Sequence, residues 1–268
     1  MEFVKKKIEQ RYNHRYLDEA GDTTFFGKGK TNIVGQTGVS SFFLIGMVTF
    51  FEPISVIRNN ILSLQNQVIN DPYINVIPSV QKRINDKGFY FHATDDPPEV
   101  RKIFYDFIKT INCKFKVVVL KKSINSYINN FYSNEAELYS HLLSELISNK
   151  LLIRKKFVFN IAERGKTTKN KNLFLAFEKA KSRILSSNPK FVVKSKVHFN
   201  ITNHYDEPIL NITDYFCWSV QRVFERKELR YHNYISEKIP LLIYLNNDNS
   251  LEEKILFTEV NKLNITDI

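Results

Sequence analysis

The stretch RYLDEAGDTTFF, residues 15–26, places three carboxylates where an apolar segment meets a glycine turn. Tyr16 and Leu17 are typical of a β-strand, and Gly21-Asp22 is typical of the turn that follows one. A strand that ends in Asp18-Glu19 would hold oxygen ligands at a fixed height above a sheet, which is the arrangement that hard divalent cations need. An acidic turn without a ligand explains this stretch equally well, so a second acidic position is needed. We assign Asp22 to the turn itself.

A second acidic position lies near the other end of the chain, in the stretch LNITDYFCWSVQRVF at residues 210–224. Phe216, Val220 and Val223 recur at helical spacing and predict a helix with one buried face. Asp214 lies near the start of this helix, where a carboxylate also complements the helix dipole. Two interpretations therefore stay open for Asp214: a charge that stabilises the helix, and a ligand that the helix brings up to Asp18.

Four segments resemble, in the same order, the domain-of-unknown-function family 3800. They are YLDEAGD at residues 16–22, FHATDD at 91–96, NIAERG at 160–165 and LNITDYFCWSVQR at 210–222. The resemblance extends from about residue 16 to about residue 238. Members of this family look like RNase H-like nucleases, so the resemblance implies that fold and a metal-dependent attack on a phosphodiester backbone.

The chain departs from the family pattern at two places. Ala20 stands where the family usually has Ser, and another small residue can still turn there. The run NITD at residues 211–214 stands where the family usually has Gln-Ile-Ala-Asp, and the acid itself is kept. The resemblance therefore still implies a carboxylate site that includes Asp18 and Asp214.

Alternating strands and helices predict an α/β fold with a mixed sheet. Strands are predicted at residues 42–51, 89–92, 115–120, 157–161 and 197–201. Helices are predicted at residues 54–68, 97–111, 134–150 and 172–185, and around Asp214. We expect one RNase H-like domain over residues 1–268, with a central mixed β-sheet flanked by helices. A C-terminal extension from about residue 239 would add an edge strand or a contact with a partner chain.

Phosphodiester hydrolysis with two Mg²⁺ or Mn²⁺ ions needs several carboxylates around one cleft. Asp18 and Asp214 are the two main expected ligands. Glu19 would point to the opposite face of a regular strand, so it joins them only if the backbone bulges or ends there; pinning the turn is its alternative role. Glu163 follows the strand at 157–161, and the ends of parallel strands meet at one sheet edge; a solvated loop carboxylate is its alternative. The predicted catalytic and metal-binding residues are Asp18, Glu19, Glu163 and Asp214.

The chain carries 39 Lys and Arg against 28 Asp and Glu, a net charge of +11. Nucleic acid is the partner class that most often accounts for such an excess, and a Lys-, Asn- and Ile-rich composition from an AT-rich genome is the alternative. The residues expected to contact phosphates are Arg164, Lys166, Lys169, Lys171 and Arg222. His92 and Lys122 are further candidates, His92 for moving protons and either of them for contacting phosphate.

Composition argues against several other classes. No run approaches the roughly 18 apolar residues of a membrane span, and residues 1–12 lack the apolar core of a signal peptide. We therefore expect a cytoplasmic protein without a membrane partner. Cys113 and Cys217 lie far apart in apolar patterns, which predicts reduced core thiols rather than a zinc site. Residues 27–31 look like the end of a Walker A loop, but Thr24 occupies the position of its first glycine.

The sequence thus predicts a metal-dependent nuclease that acts on DNA or RNA. The alternative is a catalytically inactive nucleic-acid-binding module, or an interaction subunit of a phage-defence or mobile-element system. A homo-oligomer or a partner protein is compatible with each. If Asp18 and Asp214 share a metal site, their carboxylates should lie within roughly 4–7 Å of each other. Glu163 should face the same cleft, basic side chains should rim it, and one acid should have a raised pKa.

Overall fold

The computed structural model describes residues 13–86, 88–151, 156–163, 170–187, 195–246 and 253–268. The strands are β1 (Asn13–Ala20), β2 (Phe42–Phe50), β3 (Cys113–Lys121), β4 (Lys156–Ala162), β5 (Lys196–Thr202), β6 (Leu241–Asn246) and β7 (Glu253–Phe257). The helices are α1 (Ile54–Asn70), α2 (Pro78–Asp86), α3 (Pro98–Thr110), α4 (Ile124–Asn129), α5 (Glu135–Leu151), α6 (Asn170–Ser187), α7 (Leu210–Arg226) and α8 (Arg230–Ile235). Single 3₁₀ turns lie at Lys28–Lys30, Ser236–Lys238 and Ile265–Asp267.

The strands form one mixed sheet in the order β5-β4-β1-β2-β3-β6-β7. β1, β2 and β3 are antiparallel neighbours, whereas β4 runs parallel to β1 and β5 parallel to β4. On the other side β6 is parallel to β3, and β7 is antiparallel to β6. The carboxyl ends of β1, β4 and β5 therefore meet at one edge of the sheet, where ligand sites form in α/β proteins.

Helices cover both faces of this sheet, because the side chains of its central strands alternate between two apolar cores. In β2, Leu44 and Val48 belong to the core that contains α1, α3 and α7. Ile45 and Met47 belong to the core that contains α5 and α6. The prediction of an α/β fold with a mixed sheet flanked by helices is thus confirmed.

Helix α7 lies close against β1 and β2, and Gly46 allows this approach. Gly46 is opposite Asp18 in the β1–β2 ladder. A Cβ atom at position 46 would lie 2.3 Å from the Phe115 ring and 2.7 Å from the Cys217 sulfur, well inside van der Waals contact. The missing side chain therefore lets α7 carry Asp214 to the level of Asp18.

One sequence-based expectation differs from the structure. Residues 89–92 form no strand: Phe89 and Phe91 are buried as a loop segment, with the Phe91 ring stacked on Phe104 of α3. An apolar run of four residues does not distinguish a strand from a loop that fills a core. The edge strand expected after about residue 239 is present: β7 is the outermost strand of the same sheet, and β6, from the same segment, lies between β3 and β7. Its LLIYL run suits a strand buried on both faces.

Candidate metal centre

Three side chains converge at the carboxyl edge of the parallel strands. Asp18, His204 and Asp214 each offer one ligand atom, and these atoms all lie within 4.8 Å of one another. Asp18 lies near the end of β1, His204 lies two residues after β5, and Asp214 is on the second turn of α7. The expected proximity of Asp18 and Asp214 is therefore confirmed, although these residues are distant in sequence.

Each carboxylate of this group is oriented by a backbone N–H through one of its oxygens. The Glu19 N–H donates to Asp18 Oδ1 at 2.8 Å, and the Ala93 N–H donates to Asp214 Oδ2 at 2.7 Å. The other oxygen of Asp18, Oδ2, lies 2.9 Å from His204 Nε2. Asp214 Oδ1 lies 4.0 Å from His92 Nε2. The second oxygen of each acid is thus the one placed to bind a cation.

Burial and mutual repulsion perturb the ionisation of the group. Burial, supplemented by the Asp18 carboxylate, raises the pKa of Asp214 to about 6 against the opposing charges of His92 and His204. Burial alone would lower the pKa of His204, but the Asp18 carboxylate that it hydrogen-bonds, together with Asp214, raises it to about 9. The raised pKa expected for one of the two acids is confirmed. A cation at this position would relieve the same repulsion.

The group opens into a cavity of about 1050 Å³. Glu163 lines this cavity, and Arg222 and Arg226 line it from the last turns of α7. The expected placement of Glu163 in the same cleft, with basic side chains beside it, is therefore confirmed. The turn segment at residues 35–41 forms a further part of the wall.

The remaining predicted ligands lie outside the group of three. β1 continues through Ala20 in regular register, with Glu19 opposite Ile45, so no bulge turns the Glu19 side chain towards Asp18. Glu19 borders the cavity from the other face of the strand. Glu163 is exposed just after β4, where its N–H donates to the Thr202 carbonyl at 2.8 Å. Both carboxylates therefore line the cavity without joining Asp18.

His92 and Lys122, the two further candidates, have different surroundings. The Nδ1 atom of His92 lies 2.9 Å from an oxygen of Asp95, and its ring lines the cavity beside Asp214. The Lys122 side chain is fully buried, and its ammonium lies 3.1 Å from an oxygen of Asp22. This position fits a structural ion pair and not the phosphate contact that we expected of Lys122.

Asp22 stabilises the turn that leads into the cavity wall, as expected of a turn residue. Its carboxylate accepts hydrogen bonds from the N–H groups of Ser40 at 2.6 Å and Thr24 at 2.8 Å. Burial would raise the pKa of Asp22, but the hydrogen bonds from Ser40 and Thr24 and the charge of Lys122 together lower it to about 2. The ionised carboxylate thus connects the end of β1 to the segment before β2.

This pKa predicts an acid-labile contribution of Asp22 to stability. Its ordinary pKa is 3.8, so the contribution is complete above that pH and is lost as pH falls through about 2. We expect Asp22→Asn to lower the free energy of unfolding near neutral pH, and the difference from the wild type to shrink below about pH 4. Urea unfolding of the wild type and of Asp22→Asn, from near-neutral pH down to about pH 2, measures this difference in the free energy of unfolding. A difference that stays constant down to pH 2 would contradict the assignment.

The expected phosphate contacts are only partly within the described residues. Arg164, Lys166 and Lys169 lie outside them, as does the side chain of Lys171. The Arg222 guanidinium donates to a Glu228 oxygen at 2.8 Å and lies 5.4 Å from the centre of the Trp218 ring, so its charge is largely compensated. Arg226 is exposed beside the cavity and forms no ion pair with another described residue. Arg226 is therefore better placed than Arg222 to contact an anion.

His204 is the residue of this group that the sequence analysis missed. It follows the predicted strand at 197–201 by three residues, much as Glu163 follows the strand at 157–161 by two. The rule that parallel strands end at one edge would have indicated it, had it been applied to both strands.

Comparison with known proteins adds no family assignment. No protein-family model matches the chain, and no curated protein matches it. Among the described residues, no helix combines the length and the apolar character needed to cross a membrane. The interpretation of the site therefore rests on its own geometry and on the sequence motifs.

Proposed function

We propose that the protein is a divalent-metal-dependent nuclease of RNase H-like fold that hydrolyses phosphodiester bonds in DNA or RNA. One observation carries the proposal: Asp18, His204 and Asp214 place ligand atoms within 4.8 Å of one another at an open cavity. Carboxylates and an imidazole are metal ligands, and divalent ions held by a protein promote phosphodiester cleavage by neutralising charge and activating water.

The positions of the family-like segments support the same proposal. All four contribute residues to the one cavity: Asp18 from the first, His92 from the second, Glu163 from the third and Asp214 from the fourth. These segments are far apart in sequence, so a shared cavity is unexpected unless they act together. The mixed sheet with helices on both faces also suits an RNase H-like fold.

The chain's own residues have separable roles in this mechanism. Asp18 and Asp214 would hold the cation through Oδ2 and Oδ1, and His204 through a ring nitrogen. The cation would supply charge neutralisation at phosphorus and an activated water. The Asp95 carboxylate orients His92, because it accepts a hydrogen bond from Nδ1 of the ring. The other ring nitrogen, Nε2, then faces the Asp214 side of the cavity. His92 is therefore the residue placed to carry a proton to or from a reacting oxygen.

A second candidate function is nucleic-acid binding without cleavage. The ion pair between His204 and Asp18, 2.9 Å long, gives both groups a partner in the absence of any cation. Such an ion pair would also be expected at a site that no longer binds a metal ion but still has basic side chains around its cavity. This alternative predicts binding of nucleic acid that is independent of divalent cations.

Cleavage assays separate the two candidates. The purified protein is incubated with single- and double-stranded DNA and RNA, in Mg²⁺, in Mn²⁺ and in chelator. We expect cleavage of at least one substrate with a divalent cation and none with chelator. Binding of nucleic acid without cleavage in either cation would refute the nuclease and favour the binding module.

The proposal also predicts unequal roles for the two arginines of α7. Arg226→Gln should weaken nucleic-acid binding and reduce the slope of log affinity against log salt by about 1, as expected for one lost phosphate contact. Arg222→Gln is the matched control and should have a smaller effect, because Glu228 already compensates its charge. Fluorescence anisotropy over a salt series measures both. Equal slopes for the wild type and Arg226→Gln would show that Arg226 makes no phosphate contact.

A further inference from the structure

We propose that this site prefers a first-row transition-metal dication such as Mn²⁺ over Mg²⁺, because one of its three ligands is an imidazole nitrogen. The inference rests on the proposed metal site and narrows the identity of its ion. Mg²⁺ is a hard cation that takes oxygen ligands and keeps much of its water. Imidazole is a better ligand for transition metals, and their affinities for mixed nitrogen and oxygen sites increase along the first row as far as copper.

The His204–Asp18 geometry already matches two neighbouring ligands of one ion. Their ligand atoms, Nε2 and Oδ2, lie 2.9 Å apart. Two neighbouring ligands of an octahedral ion with bonds of about 2.1 Å are separated by about 3 Å. The third ligand atom, from Asp214, is within 4.8 Å of both. A bound ion would thus replace the proton that now lies between His204 and Asp18.

Other carboxylates that line the cavity have different hydrogen-bond partners or lie outside the group of three. Asp22 accepts hydrogen bonds from Ser40 and Thr24. Glu225 accepts a hydrogen bond of 2.8 Å from the Phe42 N–H. Glu19 lies on the opposite face of β1 from Asp18. The described residues therefore provide His204, and no third carboxylate, beside Asp18 and Asp214.

The position of His204 is fixed by contacts on several sides. Its carbonyl accepts a hydrogen bond of 3.3 Å from the Asn211 side-chain amide, and its ring lies nearly parallel to the Tyr90 ring. In the same turn, Glu207 binds the Arg58 guanidinium of α1 through both carboxylate oxygens, at 3.2 and 2.8 Å. An imidazole held in this way presents its nitrogen to the ion without a further ordering cost.

Calorimetric titration of the metal-stripped protein tests the preference. We expect the dissociation constant for Mn²⁺ to be at least about tenfold lower than that for Mg²⁺. His204→Asp makes the group all-carboxylate and should reduce this ratio by weakening Mn²⁺ binding while Mg²⁺ binding is retained. His198→Asp is the matched control, because His198 is exposed on β5 and should leave the ratio unchanged.

A second measurement needs no variant and does not depend on how His204→Asp folds. Electron spin-echo spectra of Mn²⁺ bound to protein labelled with ¹⁵N-histidine should show coupling to a directly bound nitrogen. Absence of this coupling, or equal affinities for Mg²⁺ and Mn²⁺, would overturn the inference. Cleavage supported equally by both ions would leave the proposed nuclease intact. Failure of both ions to bind would overturn the metal site itself, and with it the proposed function.

Discussion

Asp18→Asn and Asp214→Asn should each lower metal-dependent cleavage by on the order of 10³-fold or more, because the ion supplies several kcal/mol of transition-state stabilisation. The amide keeps the shape of the carboxylate and can still accept the hydrogen bond from the Glu19 or Ala93 N–H. It removes the charge that holds the cation and carries one oxygen instead of two. The loss should therefore appear in activity and not in folding.

Initial rates with saturating Mn²⁺, and thermal unfolding of the same samples, measure the two effects separately. Asp86→Asn is the matched control, since Asp86 is an exposed carboxylate at the end of α2 and does not line the cavity. Its activity should equal that of the wild type. Wild-type activity in a folded Asp18→Asn or Asp214→Asn variant would exclude the proposed mechanism.

The second large effect concerns stability, at the buried Asp96. One oxygen of Asp96 accepts from the buried Arg83 guanidinium, and the other accepts from the Tyr215 hydroxyl and the His92 N–H. Asp96→Ala would leave a buried cation and two buried donors without this acceptor. We expect a loss of about 3–5 kcal/mol in the free energy of unfolding, the usual cost of removing one partner from a buried ion pair.

Urea unfolding at neutral pH measures this loss. Asp95→Ala is the matched control, because the adjacent Asp95 side chain is 56% exposed and pairs with the His92 ring. Its effect on stability should stay below about 0.5 kcal/mol. A loss of less than about 1 kcal/mol in Asp96→Ala would show that the Arg83–Asp96 pair does not stabilise the fold.

The network around Asp96 also shows why part of the site was hidden in the sequence. Residues 89–92, which overlap the FHATDD segment, were expected to form a strand. Asp96 instead holds the segment as a buried loop, and this loop presents the Ala93 N–H to Asp214. The donor is a backbone N–H, so the residue type at position 93 does not predict its hydrogen bond to Asp214. Only the folded structure shows this hydrogen bond.

Other parts of the site were visible because they follow from local patterns. The apolar run before Asp18 and the helical spacing around Asp214 each predicted one element, and both elements carry their acid as expected. The order of the strands was not predictable in the same way, since pairing joins segments that are distant in sequence. His204 depended on that order: it reaches Asp18 only because β4 alone lies between β5 and β1.

We propose that Asp18, His204 and Asp214 bind one divalent cation, and anomalous diffraction is a direct test of this binding. Crystals grown with Mn²⁺ are measured where Mn²⁺ scatters anomalously. We expect an anomalous peak about 2.0–2.3 Å from Asp18 Oδ2, Asp214 Oδ1 and a ring nitrogen of His204. A fully ordered site with no peak at these three atoms, or an ion bound elsewhere in the cavity without them, would contradict it.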